Sequence, residues 1–350
     1  MLNNKDGKLS PQQLKEQFIT KLGYHRKEVI QGPAIGVDVS VVQIDDTKGL
    51  IVASDPLSII PTLPMEISAW LSVHLMANDI ATSGFLPTFG QFVLHLPASL
   101  STEQTADYWN YVHHYCNEIG IHITGGHTAF DSFTQSTLAG GGTLFSIAPL
   151  AEIKTSAMAQ VGDDLIMTKT AALSSSAILA LSFPDYVKKA LGEDALQKAQ
   201  QNFFSTRIIP EVKRLRAHKS LFQGISAMHD VTEKGIIGAS YEFAQASQTS
   251  ITLLPENILV DNTVQHVCQL FDIDPQVSVG AGSLLIACKP SATSRIIDLL
   301  QTNGIPAAAI GKFQKATGSP LRNPLGEDIL YPSEDPYWAA YFEALKNGLS

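Results

Sequence analysis

The segment VHLMANDIATSGFLPTF, residues 73–89, ends one element and begins the next. Upstream of its turn, Ile67, Trp70, Leu71, His74, Leu75 and Asn78 recur at the spacing of one helix face, behind Pro61 and Pro64. Gly84 supplies the stop, and Pro87 prevents the helix from continuing. An apolar strand over Phe92–Leu96 follows. Downstream, the pattern predicts a helix over Glu103–Ile119, a strand over Ile121–Thr124 and a glycine-interrupted strand over Thr137–Ile147. Working back from the helix, Ile35–Ile44 and Leu50–Ser54 read as strands joined by the turn Asp45–Gly49. A polar helix and arm precede them. Strands alternating with long helices in this order predict mixed α and β layers.

The pattern breaks around Ala148–Gly162, at Pro149 and a run of small residues. Beyond it the theme repeats: strand Leu165–Thr168, helices near Ser174–Ser182 and over Asp194–His218, strand Ile225–Met228 and helix Gly235–Ala246. Helix Asn262–Phe271, strand Leu284–Cys288, helix Ala292–Asn303 and strand Ala307–Phe313 complete the chain. A length of 350 residues, against roughly 150 per domain, predicts two domains, divided here into 1–155 and 156–350.

Composition narrows the function classes. With 45% hydrophobic and 16% charged residues the chain can bury sizeable cores. A net charge of -9 excludes a general nucleic-acid surface, which needs clustered Lys and Arg. It does not exclude a nucleotide, because metal ions and backbone N–H groups can handle phosphates. Cys116, Cys268 and Cys288 form no CxxC pair and read as buried structural thiols. No apolar run approaches the roughly 18 residues of a membrane span, and the N-terminus has no apolar signal region. The expectation is a soluble, cytoplasmic protein without a membrane partner.

Four acidic sites stand at element ends: Asp38, Asp55, the Asn78-Asp79 pair and Asp230. A carboxylate closing an apolar strand is costly to desolvate unless it meets water, a donor or a cation. Carboxylates converging from separate elements can hold Mg²⁺, which prefers oxygen ligands. Each residue alone is equally a turn or cap residue. Glycines form a second signal at Gly125-Gly126-His127-Thr128, Gly140-Gly141-Gly142 and Gly280-Ala281-Gly282. They allow close approach of a ligand or of a neighbouring strand, and none forms a P-loop. His127 is open to metal, phosphate or an internal hydrogen bond.

Together the segments GVDVSVV (36–42), SDPLSIIP (54–61), VHLMANDIATSGFLPTF (73–89), GGHT (125–128), GDDLIMTK (162–169), MHDVTEKG (228–235) and DPQVS (274–278) resemble the AIR synthase-related, HypE-like branch of the PurM–HypE–ThiL–selenophosphate synthetase superfamily. The resemblance runs from about Pro33 to Trp338. It implies an α+β, two-domain PurM-like architecture. The N-terminal α/β domain would bind ATP and pair across a homodimer into an interface barrel, beside a C-terminal α+β, ferredoxin-like domain. It further implies that Asp38, Asp55 and Asp79 hold Mg²⁺. Asn78, Asp79, Gly125, Gly126, His127 and Thr128 would face ATP, while Lys169 and Asp230 would face the phosphates or the substrate; Lys234, which the family pattern does not carry, reads as a further cation for the transferring phosphoryl group.

The chain also departs from the pattern. It has no cysteine among Tyr341–Ser350, where HypE-type enzymes use one, and its first cysteine is Cys116. Relatives read GIEGT where this chain carries Ala172-Leu173-Ser174-Ser175-Ser176, and a glycine where it carries Lys234. The expected function is ATP- and Mg-dependent phosphorylation of an amide- or carboxamide-type oxygen. The alternative is a homodimeric maturation scaffold, serving a partner protein, whose nucleotide site has degenerated.

Overall fold

A computed structural model of the protein describes residues 9–57, 59–60, 62–131 and 139–350. Ser58, Pro61, Thr137 and Leu138, and the polar residues Met1–Lys8, all used above, lie outside the described residues. The chain forms two compact units. The N-terminal unit comprises Lys27–Gly32 and Asp38–Ile153, and the C-terminal unit comprises Met1–Arg26, Pro33–Val37 and Lys154–Ser350.

After the short helix α1 (Pro11–Leu14) come β1 (Val29–Gln31), β2 (Ser40–Gln43) and β3 (Lys48–Pro56). The helix read from 3.6-residue spacing is α2 (Met65–Thr82), followed by β4 (Phe89–Pro97), α3 (Thr102–Ile119), β5 (His122–Asp131) and β6 (Ala139–Pro149). The six strands form one sheet in the order β1-β2-β3-β6-β4-β5, with β4 and β5 parallel. Alternation sets its faces. Phe92, Leu94 and Leu96 of β4 and Leu144 and Ala148 of β6 are buried, whereas Phe89, Val93 and Ile147 point the other way and are exposed. Helices cover only the buried face: Trp109 of α3 meets Phe92 edge-on at 5.8 Å, and Met76 of α2 fills the space beside Gly142. α3 in turn covers α2 through Tyr108, whose hydroxyl donates to Ser72 at 2.8 Å. Buried from two sides, α2 needs apolar residues around most of its circumference.

The C-terminal unit runs through β7 (Asp164–Thr168), α4 (Leu173–Ser182), α5 (Pro184–Leu191), α6 (Glu193–Gln201), α7 (Ile209–Ala217), α8 (Lys219–Phe222) and β8 (Ile225–Asp230). It continues with α9 (Gly235–Ala246), β9 (Ser250–Leu253), α10 (Asn262–Leu270), β10 (Leu284–Cys288), α11 (Pro290–Thr302), β11 (Ala307–Gln314), β12 (Leu321–Arg322) and α12 (Pro336–Lys346). Its sheet order is β12-β9-β11-β7-β10-β8. Leu165, Met167, Leu285, Ala287 and Phe313 of that sheet pack on Ile236, Ala239 and Phe243 of α9. β10 is buried along its whole length, which explains its unbroken apolar sequence.

The two-domain α+β architecture is as expected, and several local readings need correction. Among the described residues neither sheet closes into a barrel within the chain; β1 and β5 remain edges. The strand predicted over Ile35–Ile44 starts only at Ser40, because Gly36 turns at φ +73, where a Cβ would collide with the Glu242 carbonyl. The helix predicted over Asp194–His218 is broken at Asn202–Ser205, and Pro210 stands in the first turn of α7, where its missing N–H does no harm. The strand expected to end at Thr124 continues through Gly125–Thr128 as β5.

Candidate functional site

In the N-terminal unit the strand register locates the acidic residues. Ser40 of β2 pairs with Val52 of β3, so Asp38 enters beside the end of β3 that carries Asp55. Asp55 pairs with Gly142 on β6, Gly142 with Phe92 on β4, and Phe92 with Gly126 on β5. These four residues form one row across the sheet. Three strand spacings of ~4.8 Å put Gly126 about 14 Å from Asp55, too far to share one ion. Met76 packs on Gly142 in that row, and Asp79, half-buried, stands one helical turn farther along α2 beside the fully buried Asn78.

The glycines around this row differ in what they do. Gly126 (φ +151) and Gly140 (φ +156) flank β4, and a Cβ on either would collide with the carbonyl of Phe92 or Val93. Their role is close strand packing. Gly125 has nothing within 4 Å of a Cβ and leaves open space. His127 and Thr128 are exposed on the edge strand, and the His127 ring lies 5.8 Å from that of His95 on β4.

In the C-terminal unit Lys169 and Lys234 both occupy left-handed backbone, at φ +58 and +64. The Lys169 ammonium donates to the Arg207 carbonyl at 2.6 Å and the Gly282 carbonyl at 2.8 Å, and it pairs with the Glu211 carboxylate. An ammonium has three donors, and all three are taken here. Burial pushes Lys169 below the usual lysine range, Glu211 opposes that shift, and Arg207 adds to it. Glu211 is fully buried and also accepts from the Thr168 hydroxyl at 3.3 Å.

Lys234 is held differently. Its backbone N–H donates to the Asp335 carboxylate at 2.6 Å, and its ammonium stands 4.3 Å over the Tyr331 ring. The Tyr331 hydroxyl donates to Glu242, whose other oxygen is 3.8 Å from His229 Nε2. Asp230 closes β8, buried beside His229, and pairs with Leu284 of β10. The two lysine ammoniums thus stand in separate settings.

The three serines lie in the first turn of α4 and are closed off. Ala172 takes φ +50 ahead of α4. The Ser174 hydroxyl donates to the Val279 carbonyl at 3.2 Å and accepts from the Ala281 N–H at 2.9 Å. The hydroxyls of Ser175 and Ser176 both donate to the Ala172 carbonyl. All three serines are buried, so their hydroxyls serve the fold. The cysteines are buried as well, and burial pushes the Cys116 thiol up to about 12.

The match to known proteins covers both units. A family model described as AIR synthase related protein, N-terminal domain, matches residues 36–147, and its C-terminal domain counterpart matches residues 160–321. The chain belongs to the AIR synthase related family. Selenide, water dikinase from Rhizobium meliloti is 22% identical over 321 residues, spanning 81% of this chain and 84% of that protein. The Methanocaldococcus jannaschii protein of the same name is 26% identical over 311 residues, 83% of each. ThiL complexed with AMPPCP and TMP superposes with a TM-score of 0.67 at 16% identity, over 85% of this chain and 90% of its own. HypE from a HypE–HypF complex gives 0.69 at 15% identity (91% and 99%), and HypE in complex with ATP gives 0.61 at 16% (94% and 95%). At these identities the solved structures establish a shared fold.

Within this AIR synthase related chain, the sequence reading passed over Glu211, Tyr331, Glu242 and Asp335. Asp335 had a legible signal, an Asp directly before Pro336 at the start of a helix. Glu211 follows Pro210 in the first turn of α7, where an acid is ordinary. Only the fold reveals that its partner is Lys169.

Proposed function

We propose that the protein is an ATP- and Mg²⁺-dependent, HypE-like enzyme that phosphorylates an amide- or carboxamide-type oxygen. The observation that supports it most is the strand register, which brings Asp38 in beside the end of β3 that carries Asp55, while α2, which carries Asp79, packs on the same row of the sheet through Met76. An all-oxygen donor set of this kind fits Mg²⁺, which would neutralise charge on the phosphates of bound ATP. Asn78, Asp79 and the open side of Gly125, with Gly126, His127 and Thr128 along the edge strand, would receive the nucleotide. In-line transfer is mainly a matter of position and charge. For that transfer Lys234 would supply a cation and Asp230 a carboxylate, while Lys169, with its three donors engaged, would fix loops of the C-terminal unit.

The functional unit we propose is a cytoplasmic homodimer divided near residue 155. Helices cover one face of the N-terminal sheet and leave Phe89, Val93 and Ile147 exposed on the other, at 36%, 39% and 50%. Exposed apolar sheet surface with open edges is what pairing across a two-fold would bury. Among the described residues no helix is long and apolar enough to cross a membrane.

A second reading, a maturation scaffold for a partner protein, draws on the three buried serines and Lys169, whose donors are all engaged internally. A phosphate-release assay separates the two. Turnover of Mg·ATP that falls about tenfold or more in Lys234→Ala supports the enzyme. A parent that dimerises but releases no phosphate supports the scaffold.

A further inference from the structure

We propose that Asp335 and Tyr331 are positioning residues that set where the Lys234 ammonium stands. The proposal rests on the phosphotransfer reading for its purpose, and on geometry of its own for its mechanics. A lysine in left-handed backbone is strained, by roughly 1–2 kcal/mol, and persists only where its surroundings hold it there. Asp335 supplies that hold. Its carboxylate accepts from the N–H of Lys234 at 2.6 Å and from the N–H of Tyr337 at 3.0 Å, and the Val279 N–H also reaches it. One buried carboxylate therefore ties the turn before α9 to the loop before β10 and to the start of α12.

The side chain of Lys234 is guided as firmly as its backbone. Its stem passes over Gly238, where an added Cβ would come within 2.6 Å of the Lys234 Cβ. The ammonium ends over the Tyr331 ring, and that ring is fixed by its hydroxyl on Glu242 and by Tyr241, whose ring lies 5.1 Å away. Lys234 is only 6% exposed, yet among the described residues no carboxylate pairs with its ammonium. Lys169 gives the contrast, since Glu211 neutralises it. A cation held by the face of a neutral ring keeps its charge for an incoming anion, the phosphate of the nucleotide. A carboxylate in the ring's place would cancel it.

The test is a double-mutant cycle. Asp335→Ala should lower kcat for Mg·ATP about tenfold with little change in KM, and Asp335→Asn, which keeps an acceptor oxygen, should recover part of that loss. In a Lys234→Ala background the same Asp335→Ala change should have almost no further effect, because the group it positions is gone. Tyr331→Leu should behave likewise, and it keeps the test open if Asp335→Ala does not fold. Equal, additive losses in both backgrounds would overturn the proposal. A readout without turnover separates it from the phosphotransfer reading. Loss of the charged hydrogen bond should speed hydrogen exchange of the Lys234 amide about tenfold or more in Asp335→Ala. An inactive parent with that faster exchange refutes the function but not the positioning; an unchanged amide refutes the positioning.

Discussion

Lys169 and Lys234 both place a long cationic side chain on left-handed backbone, but they dispose of the charge in opposite ways. Lys169 shares a buried ion pair with Glu211, so removing one partner leaves the other uncompensated. Glu211→Gln should therefore destabilise the chain by about 3 kcal/mol or more in urea titration, while Lys169→Met with Glu211→Leu should recover most of the loss. A single variant within 1 kcal/mol of the parent would contradict this pairing. Asp335 adds a pH dependence. Burial lifts its carboxyl from 3.8 to about 6, against the pull of its backbone donors. The folded chain therefore holds that proton more tightly than the unfolded chain does. The resulting stability is complete below about 3.8 and is lost as the pH rises through 6. Across that window the stability of the parent relative to Asp335→Asn should fall by about 2–3 kcal/mol. A pH-independent difference would refute the assignment. The candidate lysines were legible in the sequence as residues, but their partners were not. Glu211 is separated from Lys169 by three helices, and nothing in its local sequence marks it.

At the scale of elements, the glycines of β5 make opposite predictions for neighbouring positions. Gly126→Ala drives a Cβ into the Phe92 carbonyl and should cost several kcal/mol, on the order of the 4–5 that marks severe substitutions. Gly125→Ala meets open space and should change stability by no more than about 0.5 kcal/mol. Thermal unfolding of the two variants checks both, and equal losses would show that the register is wrong. The strand expected here stops at Thr124, short of two glycines, a residue type that strands ordinarily disfavour. Pairing with β4 overrides that tendency, and only the register shows it. Strongly periodic or wholly apolar segments read well for the converse reason, since their pattern is the cause of their burial. α2, α3, β7 and β10 lie within a few residues of their expected bounds. β9, β12 and α12 were missed because two are very short strands and the third depends on a cap the reading did not use.

For the whole molecule, the order of motifs carried the two-domain family architecture, because both halves of the family pattern had to occur in sequence. The same order said nothing of which groups remain available. The three serines stand where relatives carry GIEGT, and their hydroxyls turn inward onto the Val279 and Ala172 carbonyls. If the open sheet face pairs as proposed, Phe89→Asp with Ile147→Asp should convert a dimer to a folded monomer in sedimentation velocity. A parent that sediments as a monomer at micromolar concentration would contradict the pairing. The proposed activity depends above all on whether Asp55 belongs to a Mg·ATP site. Calorimetric titration of ATP into the parent and into Asp55→Asn, with and without Mg²⁺, tests this directly. The account predicts binding that requires Mg²⁺ in the parent and is lost, by at least about tenfold in affinity, in a variant whose unfolding transition matches the parent's. Equal affinity in the two proteins, or parent binding indifferent to Mg²⁺, would contradict it.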